Sequence, residues 1–143
     1  MKEDVLDGEA ALDAFARRLA ARLHPGDVVA LRGPLGAGKT TLVRALVRAL
    51  HGSDDAVSSP TFVFRQTYGG TPPVEHLDLF RLDDPAELPQ LALDDAFAAD
   101  RIVLVEWPER AAGWLPAGHI EVAIAGSGDR PRTVRVTGLA ARS

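Results

Sequence analysis

The chain has no cysteine among its 143 residues. That excludes a disulfide framework and thiolate chemistry, and it fits a reducing compartment. Lysine is nearly absent as well: of 16 basic residues only Lys2 and Lys39 are lysines, and the rest are arginines. No apolar run approaches the length needed to span a bilayer; the longest, such as Ile102 to Val105, cover a few residues. The opening Met1-Lys2-Glu3-Asp4 is charged and carries no signal-type apolar core. These absences point to the cytoplasm and to no membrane partner. Nor is there a surplus of positive charge, since the formal net charge is −4. Proteins that bind nucleic acid on their own usually show a basic field, because counterion release drives the binding. Free-standing RNA binding is therefore not expected, although work beside RNA within a complex is compatible with this charge. At this length the expectation is a single domain over 1–143, able to bury about 70% of its unfolded surface without staples.

What is present is concentrated in Gly33-Pro34-Leu35-Gly36-Ala37-Gly38-Lys39-Thr40. This fits the phosphate-loop pattern of Gly, four residues, Gly-Lys-Ser/Thr. An apolar run, Val28-Val29-Ala30-Leu31, precedes it and reads as a buried strand. After it, Leu42, Val43, Leu46, Val47 and Leu50 recur on one helical face, with Gly52 placed as the C-cap. Strand, glycine loop and helix form the context in which such a motif holds phosphate. Glycines let the backbone approach an anion closely. Successive amides then form a nest, and the helix adds its positive end. Leu35, Gly36, Ala37, Gly38, Lys39, Thr40 and Thr41 are thus the expected nucleotide contacts. Lys39 would bridge the β- and γ-phosphates, and the Thr40 hydroxyl would ligate Mg²⁺. One of only two lysines stands at the position where the motif requires it.

Leu12, Phe15, Leu19 and Leu23 predict an amphipathic helix from about Glu9 to Arg22. His24-Pro25-Gly26-Asp27 turns the chain into the first core strand. Phe62 to Tyr68 and Val74 to Phe80 read as a hairpin around Gly69-Gly70. Asp83 to Phe97 holds helix-like pieces broken by prolines, and Arg101 to Trp107 is a strongly apolar strand. Ile120 to Ala125 and Thr133 to Thr137 form a last pair across a Gly126-Ser127-Gly128-Asp129 turn. The expected class is α/β: a phosphate-loop central sheet flanked by helices, with an antiparallel strand element added.

A nucleoside triphosphate site also needs a carboxylate for Mg²⁺, placed at the C-terminal end of a neighbouring core strand. Glu106 ends the most apolar strand, and Asp78 lies in the returning strand of the hairpin. One would hold the metal and the other would orient the attacking water; spacing does not assign them. His76 shares a face with Asp78 and reads as a structural hydrogen-bonder. Thr61 is equally a γ-phosphate sensor or the start of a strand after Pro60. Trp107 is equally a cover for the base or a core aromatic.

Four segments together resemble the TsaE family, the small bacterial ATPase needed for threonylcarbamoyladenosine modification of tRNA. They are residues 33 to 41, Ser59-Pro60-Thr61-Phe62, His76-Leu77-Asp78-Leu79-Phe80-Arg81-Leu82 and Leu104-Val105-Glu106-Trp107-Pro108-Glu109-Arg110. They run through nearly the whole chain in family order; the last two are far more specific than the loop. Pro34, Ala92 and Phe80 depart from the family's usual aspartate, glycine and tyrosine. The resemblance implies an ATP- and ADP-binding, Mg²⁺-dependent ATPase of weak intrinsic turnover. It implies partners in the subunits that build and transfer the threonylcarbamoyl group, with tRNA met only in that complex. It implies Thr40 and Glu106 at the metal and Asp78 needed for hydrolysis, with Lys39 completing the catalytic set. It also implies nucleotide contacts near Glu9 and Arg130.

Two other functions remain compatible with a phosphate loop. A small-molecule kinase of this fold usually adds an arginine-rich lid and a second pocket, and only about 100 residues follow the loop here. A nucleotide-controlled binding module without useful catalysis is the other, though its guanine-specific form lacks the Asn-Lys-x-Asp motif.

Overall fold

A computed structural model describes residues 2–34, 37–52, 57–58, 65–79, 97–111, 115–126 and 131–139. In chain order the elements are β1 (Lys2–Leu6), α1 (Glu9–Ala20), β2 (Val28–Arg32), α2 (Lys39–His51), β3 (Val57–Ser58), β4 (Arg65–Tyr68) and β5 (Val74–Asp78). β6 (Ile102–Glu106), a 3-10 turn (Pro108–Ala111), β7 (Ile120–Ala125) and β8 (Arg132–Thr137) follow. One sheet holds all eight strands in the order β1-β8-β7-β2-β6-β5-β4-β3.

The four central strands, β7, β2, β6 and β5, run parallel. Such strands are covered on both faces, so their sequences are continuous apolar runs rather than alternations. Val29, Ala30 and Leu31 of β2 and every residue of β6 are buried accordingly. Antiparallel strands complete both sides: β8 pairs with β7 and β1 with β8, while β4 pairs with β5 and β3 with β4. The expected α/β sheet with added antiparallel elements is therefore present, and the hairpin pairs as anticipated between β4 and β5. The returning strand ends at Asp78 rather than at Phe80, which lies outside the described residues.

Two strands were not anticipated: the two-residue β3, which pairs with β4, and β1. Lys2–Leu6 carries little apolar signal, yet it forms the edge strand β1, paired with β8. Of Asp4, Val5 and Leu6, only Leu6 is buried, in the larger core beside Phe15 and Leu19 of α1. That core also takes Leu42, Val43, Leu46 and Val47 of α2 together with Val29, Leu31, Ile102 and Leu104 of the sheet. Gly52 closes α2 as expected, its amide donating to the Arg48 carbonyl at 2.7 Å. A second, smaller cluster, with Val28, Leu77, Leu79, Val103 and Val105, packs against Phe97, Trp107 and Leu115.

β4, β5 and β6 are tied by one fully buried carboxylate. Glu75 accepts from Arg65 Nε at 2.7 Å, from Arg101 at 2.5 Å and from the Thr67 hydroxyl at 2.9 Å. A buried charge so surrounded is satisfied. Among the described residues no helix is long and apolar enough to cross a membrane.

Candidate functional site

The site lies where β2, β6 and β5 end side by side. Leu31 pairs with Glu106 on one side, and Asp78 pairs with Glu106 on the other. The loop after β2 starts at this edge and delivers α2. Two glycines make its path possible. At Gly33 an added Cβ would stand 2.7 Å from the Ile124 carbonyl oxygen, so only glycine fits between β2 and β7. Gly38 takes φ 96°, a left-handed turn that L-residues resist, and so aims the first turn of α2 back over the strand ends. The first amides of that helix have no partner within it and carry its partial positive charge.

Lys39 opens α2 and is only 5% exposed. Its ammonium donates to the Gly33 carbonyl at 2.5 Å and sits 3.5 Å above the centre of the Trp107 ring. Burial pushes its pKa below the ordinary lysine value; the nearby carboxylates of Glu106, Glu109 and Asp78 oppose that shift. Trp107 holds its position with φ 58°, a conformation a bulky L-residue seldom takes. It packs on the smaller core cluster with one part and faces the lysine with another. Of the two alternatives read from the sequence for this residue, the core aromatic describes its packing, and its ring also meets the loop lysine.

Glu106 is buried, 3% exposed. The Thr40 hydroxyl lies 3.1 and 3.0 Å from its two oxygens, and His76 Nε2 lies 2.6 Å from Oε2. An ionised carboxylate can only accept, so with Glu106 ionised the His76 ring N–H is the donor. The hydroxyl and the carboxylate make a pair of hard oxygen donors suited to a divalent cation. Asp78, next to Glu106 across the parallel ladder, adds negative charge at the same edge.

Beside the loop is a cleft of about 240 Å³. Leu6, Leu12 and Ile124 give it apolar walls, and Glu9, Thr41 and Arg132 give it polar ones. Arg132 also donates to the Ala37 carbonyl at 3.0 Å, bracing the loop from β8. On the other side Arg32 pairs with Glu121 at 3.0 Å and with Glu109 at 3.6 Å, linking the start of the loop to the turn after Trp107.

A family model described as "Threonylcarbamoyl adenosine biosynthesis protein TsaE" matches residues 6–134. The chain belongs to the TsaE family. Three relatives, each named tRNA threonylcarbamoyladenosine biosynthesis protein TsaE, show the extent of the likeness. The Bacillus subtilis protein is 37% identical over 90% of this chain and 80% of its own length. The Rickettsia bellii protein is 36% identical over 94% of each, and that of Streptomyces coelicolor 41% identical over 90% of each. The crystal structure of Bacillus subtilis YdiB superposes with a TM-score of 0.78 at 30% identity, covering 99% of this chain and 87% of that one.

Within this TsaE-family chain the structure gathers Lys39, Thr40, Asp78 and Glu106 at one edge, and it places Ala37, Gly38, Thr41 and Glu9 around the adjoining cleft. Leu35, Gly36, Thr61 and Arg130 lie outside the described residues. Sequence reasoning gave His76 a structural hydrogen bond but not its partner, Glu106. It overlooked Arg132, for which the only available signal was a late cluster of arginines.

Proposed function

We propose that the chain is a Mg²⁺-dependent, ATP-binding and slowly ATP-hydrolysing subunit acting in the biosynthesis of threonylcarbamoyladenosine in tRNA. It would work with the subunits that build and transfer the threonylcarbamoyl group and would meet tRNA only in their complex. The names of its relatives support the pathway. The observation that carries the chemistry is the buried edge at which Thr40 meets Glu106, with the Lys39 ammonium alongside.

The donor set fits magnesium. Two oxygen ligands on adjacent corners of a magnesium octahedron stand about 3 Å apart, as the Thr40 hydroxyl and Glu106 oxygens do. Among the described residues no cluster of three or more His, Asp or Glu could hold a metal by itself. Magnesium takes one or two carboxylates and completes its shell with water and phosphate. Held there, magnesium would neutralise the polyphosphate and polarise its terminal phosphoryl group.

The chain's own residues would do the rest. The first amides of α2 and the Lys39 ammonium would cradle the β- and γ-phosphates, the lysine turning from the Gly33 carbonyl towards them. Asp78, at the end of the strand beside Glu106, would orient the attacking water. The cleft lined by Leu6, Leu12 and Ile124 would take the nucleoside, with Glu9, Thr41 and Arg132 on its polar side.

The test is reconstitution with the partner subunits and tRNA, following both ATP hydrolysis and threonylcarbamoyladenosine formation. Glu106→Gln keeps the shape but removes the negative charge and replaces one oxygen by an NH2 group. It is expected to fold normally while hydrolysis falls on the order of a hundredfold, the size typical of losing one electrostatic contact to a developing charge. Hydrolysis at the wild-type rate in this variant contradicts the assignment.

A further inference from the structure

We propose that His76 is a positioning residue that fixes the plane of the Glu106 carboxylate and thereby sets the cation affinity of the site. The inference rests on the reading of Thr40 and Glu106 as the metal-holding pair. A glutamate's terminal torsion is broad, so one hydrogen bond leaves its second oxygen free to swing. Here two donors from different elements meet the same group: Thr40 from α2 at 3.0 Å and His76 from β5 at 2.6 Å, both on Oε2. The two together leave Oε1 facing the start of α2, where the Thr40 hydroxyl lies 3.1 Å away.

The two donors are not equivalent. The Thr40 oxygen is itself a proposed ligand, so its contact with Glu106 must adjust when a cation arrives. His76 has no such second task. It is 7% exposed, and it sits in a strand whose register with β6 is set by five consecutive pairs from Val74↔Ile102 to Asp78↔Glu106. His76 itself pairs with Leu104, two residues before Glu106, so its ring reaches along the strand to the carboxylate. The contact therefore depends on sheet pairing and not on a loop. A carboxylate ligand held by such an outer partner arrives pre-oriented, and loss of outer partners elsewhere lowers metal affinity or activity on the order of ten- to a hundredfold.

The test uses Mn²⁺ as the probe, titrated into the ADP-bound protein and followed by the electron paramagnetic resonance signal of the free ion. His76→Leu removes the donor while keeping most of the volume, and His76→Ala removes both. His76→Gln returns an amide N–H near the place of Nε2. ADP affinity in EDTA and the melting temperature are measured for each. The expected result is a half-saturating Mn²⁺ concentration raised about tenfold or more in each folded non-donor variant, largely recovered in His76→Gln. ADP affinity in EDTA should stay at the wild-type value. If the non-donor variants bind Mn²⁺ as wild type does while Glu106→Gln does not, His76 is merely structural; the proposal falls and the metal site stands. If the wild-type ADP complex binds no Mn²⁺, both readings fall.

Discussion

Lys39 carries its charge where charge is costly. Its ammonium is buried beneath the loop, and its pKa is driven down by that burial despite three nearby carboxylates. The cation is thus less stable here than in water, so burying it does not of itself stabilise the fold. The sign of the pH dependence follows. In the unfolded chain the lysine keeps its proton up to its ordinary value of 10.5, while in the folded chain it releases it at lower pH. Between those values the unfolded state holds more protons, so the ligand-free protein should gain stability as pH rises towards 10.5. Lys39→Met keeps the stem and discards the charge. We expect it to be no less stable than wild type at neutral pH in urea titrations and to lack that alkaline gain. We also expect its ADP affinity to fall about ten- to a hundredfold, as for a lost charged hydrogen bond. A Met variant that is clearly less stable would show that the ammonium supports the fold.

At the scale of elements, the end of β2 is held from both flanks. Arg32 joins it to Glu121 of β7 and to Glu109 of the turn after β6. The Arg32 guanidinium, helped by His119, holds the Glu121 carboxyl below its ordinary value of 4.5. Its stabilising share is present above that value and is lost as pH falls through the lower folded one. Glu121→Gln should therefore lose under about 1 kcal/mol at neutral pH, because the pair is partly exposed. Melting curves of the two proteins should converge in acid; a gap that persists at pH 3 would assign the effect to packing. This is also the scale at which sequence and structure part company. The loop and α2 were legible because glycine spacing, apolar periodicity and the Gly52 cap agree. Glu106 was legible because a carboxylate closes an otherwise apolar strand. β1 was not, since Lys2, Glu3 and Asp4 give no apolar alternation, and what makes them a strand is the open edge of β8. The partner of His76 was hidden for a related reason: it follows from the parallel β5–β6 register, which joins residues 30 apart in sequence.

Over the whole molecule, a parallel core supplies one edge where three strands end and a helix begins, and antiparallel strands on each side give that core a frame. The frame also shapes the site: β8 braces the loop through Arg132, and β1 contributes Leu6 to the cleft wall. The most direct measurement is calorimetric titration of the folded protein with ADP, run once with Mg²⁺ and once with EDTA. The account predicts one site per chain, with affinity higher in Mg²⁺ and that gain lost in Thr40→Ala. An absence of binding heat, confirmed by a melting temperature that does not rise under saturating nucleotide, would contradict it.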